Sequence, residues 1–149
     1  MAERSYDIQA VQALLPHRYP FLLVDRIDVL EAGRRVVGVK RLTGGEWWMG
    51  QHSWDPIPFT LVLEALAQTG GALIPDLSPP AGGGAGSIAY FMGADRIRLR
   101  RPATIGDELR LEVSLRQWRR GICRTHGVAT VEGVQVLTAD LTTIVRGAG

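Results

Sequence analysis

Pro58-Phe59-Thr60-Leu61-Val62-Leu63-Glu64-Ala65-Leu66-Ala67-Gln68-Thr69-Gly70-Gly71-Ala72-Leu73-Ile74 carries apolar side chains around every side of a helical wheel. A helix that is apolar all round is a buried helix. Gly70 and Gly71 each lower its intrinsic stability by about 1 kcal/mol relative to Ala, which is tolerable where another backbone packs close, and Pro75 is expected to end it. Such a helix needs cover on all sides, and the rest of the chain offers mainly strands. Leu109, Leu111, Val113 and Leu115 alternate with Arg110, Glu112, Ser114 and Arg116, the period-2 pattern of a half-buried strand. Further strands are expected over residues 87–100, 122–131 and 134–145, punctuated by Gly106-Asp107, Arg120-Gly121 and Glu132-Gly133.

Upstream, a short amphipathic helix from Tyr6 to Leu15 stops at Pro16, and His17-Arg18-Tyr19-Pro20 must be a loop. Phe21-Leu22-Leu23-Val24, then Ile27 to Leu30, a turn at Glu31-Ala32-Gly33, and Arg35 to Lys40 read as two strands joined by a hairpin. The fold class is therefore α+β, with five or six mostly antiparallel strands wrapped around one long buried helix in a single domain over residues 1–149. No internal repeat is visible.

At 46% hydrophobic and 21% charged residues, the 149-residue chain is neither disordered, collagen-like nor a disulfide scaffold. Seventeen basic residues face 15 acidic ones for a net charge of only +2, a weak basis for nucleic-acid binding. All the basic residues except Lys40 are arginines. No apolar run approaches the roughly 18 residues of a membrane span, and the opening residues lack a basic-then-apolar signal pattern. With the lone Cys123 unable to bridge internally, the expectation is a cytoplasmic protein that binds neither membrane nor nucleic acid. Ser78-Pro79-Pro80-Ala81-Gly82-Gly83-Gly84-Ala85-Gly86 reads as a flexible loop without the Lys-Ser/Thr ending of a phosphate-binding loop.

Glu64 and Gln68 are the anomaly of the buried helix. At i and i+4 they share one face, and apart from Thr60 and Thr69 they are its only polar side chains. A carboxylate placed there is expected to hold a proton more tightly through desolvation and could act as a general acid; alternatively it is a structural Glu satisfied by one of the arginines. His52 lies in the loop leading directly into the helix, where free N–H groups favour negative charge. A base, an acid and an anion-stabilising helix end would together suit proton abstraction next to a carbonyl. His52 could also be an ordinary loop histidine, and the same holds more strongly for His17.

Other constellations fail. Cys123 and His126 are three apart in a predicted strand and point to opposite faces, so they form neither a zinc pair nor a nucleophile–base couple, and no metal site is expected. Ser53 beside His52 has no visible third partner. Arg96, Arg98 and Arg100 alternate with Ile97 and Leu99 to give a basic strand face, either solvated or a docking patch for an acidic partner.

Three motifs carry a resemblance: Leu15-Pro16-His17-Arg18-Tyr19-Pro20-Phe21-Leu22-Leu23-Val24-Asp25-Arg26, then Leu63-Glu64-Ala65-Leu66-Ala67-Gln68, then Tyr90-Phe91-Met92-Gly93 with Arg101-Pro102 and Gly106-Asp107. From about Ile8 to Val145 the chain resembles the FabZ group of hotdog-fold (3R)-hydroxyacyl-[acyl-carrier-protein] dehydratases. The resemblance implies dehydration of a 3-hydroxyacyl thioester to the trans-2-enoyl thioester, the acyl group riding on phosphopantetheine of an acyl carrier protein or of coenzyme A, with no other cofactor. It places the catalytic pair on His52, located by Glu46 upstream of the loop, and on Glu64, and it gives His17 a structural part. It further implies that Gln68 orients Glu64, that a backbone N–H at Phe59 polarises the thioester carbonyl, and that Tyr90 lines the acyl channel. Thr60 and Trp54 complete the candidate substrate-binding set. A homodimer is implied, or a trimer of such dimers, in which each site takes its His from one chain and its Glu from the other. The loop departs from the family pattern: Gln51-His52-Ser53-Trp54-Asp55-Pro56-Ile57-Pro58-Phe59 is two residues shorter, and Phe59 stands where the family has glycine. The bulk of Trp54 and Phe59 implies an altered acyl pocket. The rivals are a thioesterase on the same fold, in which the carboxylate activates water, and a non-catalytic acyl-thioester binder.

Overall fold

In the computed structural model, which describes residues 1–49, 56–78 and 88–147, the chain runs β1 (Arg4–Tyr6), α1 (Ile8–Leu14), β2 (Arg26–Glu31) and β3 (Arg35–Arg41). It continues through α2 (Phe59–Gly70), a 3-10 turn (Gly71–Leu73), α3 (Ile74–Leu77), β4 (Ile88–Leu99), β5 (Glu108–Arg119), β6 (Ile122–Val131) and β7 (Val134–Arg146). The strands form one sheet in the order β1-β2-β3-β5-β6-β7-β4, every pairing antiparallel. The described sheet thus has seven strands, one more than the upper expectation, because Arg4–Tyr6 adds to β2.

Burial of α2 organises the whole. Leu61, Val62, Leu63, Ala65 and Leu66 are buried, and the helix packs against β3, β5, β6, β7 and β4. The strands answer with inward rows, Leu109, Leu111 and Val113 on β5, Cys123 and Ala129 on β6, Leu137, Ala139 and Leu141 on β7, all buried. Two glycines set how close the helix lies. A Cβ on Gly38 would collide with the side chain of Thr69, and one on Gly127 would stand 3.1 Å from Leu66 Cδ1. Thr69 can be buried at that contact because its hydroxyl donates to the Ala65 carbonyl one turn back, at 2.8 Å. The hairpins follow the sequence: Arg120-Gly121 and Glu132-Gly133 both have positive φ, the backbone of two-residue type I′ turns.

Four local expectations are corrected. Tyr6 belongs to β1, not to the first helix, because the Asp7 carboxylate accepts the Ala10 N–H at 2.9 Å and caps α1 there. Residues 21–24 are not a strand: the Leu23 N–H and Phe21 carbonyl bond to the side chain of Gln68 instead of a sheet ladder. Pro75 does not end the helical path, since it falls in the first turn of α3, where its missing N–H costs nothing. At the paired glycines the close neighbour is a side chain, not a backbone: a Cβ on Gly71 would lie 2.8 Å from Leu15 Cδ2, whereas one on Gly70 would meet only ordinary contact. The expected flexible loop after Ser78 lies, from Pro79 onward, outside the described residues.

Gly38→Ala is expected to destabilise the fold by about 1–3 kcal/mol through overpacking against Thr69. Adding Thr69→Ala should recover part of that loss, a coupling that urea denaturation of the single and double variants measures directly.

Candidate active site

Glu64 sits in the middle of α2 with its side chain 23% exposed, on the wall of a cavity of about 910 Å³. Leu14, Leu15, Ala67, Ile74, Ile88 and Phe91 give that cavity a largely apolar lining. The Glu64–Gln68 pair expected from the i, i+4 spacing is formed: Gln68 Nε2 donates to Glu64 Oε1 at 2.8 Å. Gln68 itself is 2% exposed and fully engaged, its Nε2 also donating to the Phe21 carbonyl at 2.7 Å and its Oε1 accepting the Leu23 N–H at 2.9 Å. No arginine satisfies Glu64 among the described residues. Its second neighbour is instead His17, whose Nε2 lies 3.4 Å from the same Oε1. Arg18 holds the backbone beneath that histidine, donating to the carbonyls of Leu15 at 2.9 Å and of His17 at 2.7 Å.

At the start of α2, Pro58 makes no side-chain capping bond, and the N–H groups of Phe59 and Thr60 find no acceptor among the described residues. These donors precede Glu64 by about one turn on an exposed helix end.

The family match and the sequence relatives agree on one family. The FabA-like domain family matches residues 15–140. A 3-hydroxyacyl-[acyl-carrier-protein] dehydratase FabZ of Roseiflexus castenholzii is 48% identical over 137 residues, covering 91% of this chain and 93% of its own. The enzyme of the same name from Geobacillus thermodenitrificans is 41% identical over 137 residues, covering 91% and 92%. The chain belongs to the FabZ family. That makes it a dehydratase, within the hydro-lyases.

Among solved structures, the dehydratase heterocomplex ApeI:P from Xenorhabdus doucetiae is similar with a TM-score of 0.76 over 92% of this chain and 91% of that one, at 17% identity. A hypothetical thioesterase with coenzyme A from Streptococcus pneumoniae gives 0.61 over 81% and 86%, at 15% identity. At those identities the likeness establishes the fold alone. It is the hotdog fold, the antiparallel sheet around a helix that the FabZ resemblance implied.

Of the residues assigned from sequence, Glu64 and Gln68 are brought together, while Phe59 and Thr60 stand at the start of the same helix and do not line the Glu64 cavity. Tyr90 is 53% exposed on β4, and it too is outside the lining that its neighbours Ala89 and Phe91 join. His52 and Trp54 lie outside the described residues. Sequence reasoning missed the nearness of His17 to Glu64, 47 residues away, for which no local periodicity gives a signal. It also gave no sign that Lys40, the chain's only lysine, is buried. Lys40 Nζ pairs with Glu46 Oε1 at 3.0 Å, the two side chains 11% and 9% exposed, and the same oxygen accepts the Thr43 N–H at 3.0 Å. Lys40 also lies over the Trp48 ring at 6.0 Å, while Trp47 packs 6.4 Å from Phe21. The segment running into the His52 loop is thereby fixed, and beyond that loop the Ile57 N–H donates to the Ala103 carbonyl at 2.9 Å.

Cys123 and His126 occupy opposite faces of β6, as the strand register requires. Burial pushes the Cys123 thiol up to about 11, so it is no nucleophile near neutrality. His126 instead contacts Asp140 at 2.7 Å; that hydrogen bond and one from Arg96 hold the Asp140 carboxyl below its ordinary range. Arg96, Arg98 and Arg100 are exposed as the basic face predicted. No group of three or more His, Cys, Asp or Glu side chains among the described residues is placed to hold a metal ion.

Glu46→Ala is expected to cost about 3–5 kcal/mol, since it leaves the Lys40 ammonium buried without its partner. Replacing both residues, as Lys40→Met with Glu46→Leu, should cost clearly less; chemical denaturation of the two variants beside the parent gives the comparison.

Proposed function

We propose that this protein removes water from a (3R)-3-hydroxyacyl thioester to give the trans-2-enoyl thioester, the acyl group being carried on the phosphopantetheine of an acyl carrier protein. The observation that carries this reading is Glu64: one carboxylate, held by a fully engaged buried amide, on the wall of a large apolar cavity in a FabZ-family chain. Its volume falls within the usual range of roughly 300–1,000 Å³ for ligand sites.

In this mechanism His52 removes a C2 proton, and the electrons of that C–H bond form the C2=C3 double bond. The C3–O bond breaks with its electron pair on oxygen, and Glu64 protonates the departing hydroxyl so that it leaves as water. The N–H groups at the start of α2, that of Phe59 first with Thr60 beside it, stabilise the negative charge gathering on the thioester oxygen. Gln68 orients Glu64, while Trp54 and Tyr90 border the acyl channel. The reaction moves protons and no net electrons, so the carried phosphopantetheine is the only prosthetic group it calls for. A coenzyme A thioester presents the same reacting atoms.

A homodimer is part of the proposal. β4 is a 12-residue edge strand with Ile88, Tyr90, Phe91 and Met92 exposed along its first half, an edge that proteins normally cover. Pairing β4 with its copy would cover it and set Tyr90 between the two chains.

Incubation with a 3-hydroxyacyl thioester decides the reaction class: enoyl product supports the proposal, whereas free thiol or no turnover favours a thioesterase or a binding protein. His52→Ala and Glu64→Gln should each lower turnover at least about 100-fold with the fold intact, as loss of an acid–base group does. Near-parent turnover in either variant would remove that residue from the mechanism. Mixing the two inactive variants should restore part of the activity if each site takes its residues from two chains; proven heterodimers without rescue would mean that sites are not shared.

A further inference from the structure

We propose that His17 is a positioning residue for Glu64: with Gln68 it occupies Oε1 and so leaves Oε2 as the oxygen that carries and delivers the proton. This rests on the dehydratase reading above. Gln68 Nε2 and His17 Nε2 both address Oε1, at 2.8 and 3.4 Å, and no described residue bonds to Oε2. An ionised carboxylate only accepts, so the ring nitrogen that faces it must carry the hydrogen, and Nδ1 then holds a lone pair.

The surroundings of the ring support the assignment. His17 Nδ1 is buried with no hydrogen-bond partner, and leaving a buried polar atom unsatisfied costs about 1–3 kcal/mol. An apolar side chain would fill the space without that loss. The productive end of the imidazole is thus Nε2, and Glu64 is what it faces. The loop geometry holds it there, since Arg18 ties down the carbonyls on either side of Pro16 and Gln68 ties down the Phe21 carbonyl and the Leu23 N–H. The 3.4 Å separation is longer than a formed hydrogen bond, as catalytic contacts often are without substrate.

The chemical consequence is directional. A proton on Oε1 would have to displace an N–H donor, whereas a proton on Oε2 displaces none. In the elimination, the Oε2–H bond breaks toward the 3-hydroxyl oxygen as the C3–O bond releases its electron pair to that oxygen, and the carboxylate left behind is the one that the Gln68 N–H already holds and the His17 ring faces.

The test uses the full-length enzyme and a 3-hydroxyacyl thioester with His17→Met and His17→Gln, side chains matched in length but differing in their N–H donor. His17→Met should lower kcat about tenfold with KM within about twofold, and His17→Gln should return kcat to within about threefold of the parent. Equal kcat values for the two variants, whatever their melting temperatures, would overturn the proposal by showing that the donor does not matter. If the Met variant does not fold, His17→Phe supplies the same contrast against His17→Gln. Glu64→Gln measured in parallel separates the two readings. Parent-like turnover there would sink the role of Glu64 and this inference with it; an inactive Glu64→Gln beside equally active Met and Gln variants would sink the role of His17 alone.

Discussion

A helix that is apolar on every side must be surrounded, and the burial of α2 is the constraint on which the rest of this structure depends. Each fully buried Leu or Val contributes about 1.5–3 kcal/mol, so the run Leu61-Val62-Leu63 with Ala65 and Leu66 is the largest local reason for the sheet to curve around it. The same enclosure makes polar groups on α2 costly unless each finds a partner. Thr69 turns inward to its own helix, and Gln68 turns outward to the loop at 21–23. Glu64 lines an open volume. A carboxylate on a buried helix is therefore a place where the packing solution leaves chemistry available.

Gln68 joins fold and site in a single side chain. Its amide replaces the strand partner that Phe21 and Leu23 lack, and with the same Nε2 it reaches Glu64. The loop carrying His17 is consequently fixed from both of its ends, by Leu15 against Gly71 just past α2 and by residues 21–23 against Gln68 on α2. Two groups that address one carboxylate oxygen thus come from segments that are mutually anchored. The general-acid role proposed for Glu64 would need that kind of rigidity, because small displacements at a reacting centre are expensive.

What was legible in the sequence is what local pattern controls. The all-round apolar helix, the alternating strand at Leu109–Leu115, the Glu64–Gln68 pair and the two glycine-bearing hairpins all follow from periodicity or turn chemistry within a few residues. The motifs carried the family and the fold. Legibility failed where a distant partner decides. Phe21 to Val24 has the composition of a strand, but a side chain 45 residues on from Leu23 takes its backbone hydrogen bond. Lys40 looks like one more surface cation until the fold lays Glu46 and Trp48 over it. His17 is adjacent to Glu64 only once the sheet has closed. His52 and Trp54 lie outside the described residues, so their roles stay with the resemblance and the proposal.

The edge strand shows how protection against association is divided along one element. From Asp95 onward β4 carries Arg96 and Arg98, with Arg100 just past its end, and it has an arginine at positive φ and a break in register between Asp95 and Arg98, devices that blunt a sheet edge. From Ile88 to Met92 there is no charge, and Ile88, Tyr90, Phe91 and Met92 are exposed. That uncharged half is also the half whose Ile88, Ala89 and Phe91 wall the Glu64 cavity. A second copy paired along residues 88–92 would cover apolar surface that the first copy leaves exposed and would bring another chain to the border of that cavity. The charged half would remain unpaired by the same logic. Under that arrangement the residues that would pair the two copies and those that wall the Glu64 cavity would be the same short segment, so neither could change without the other.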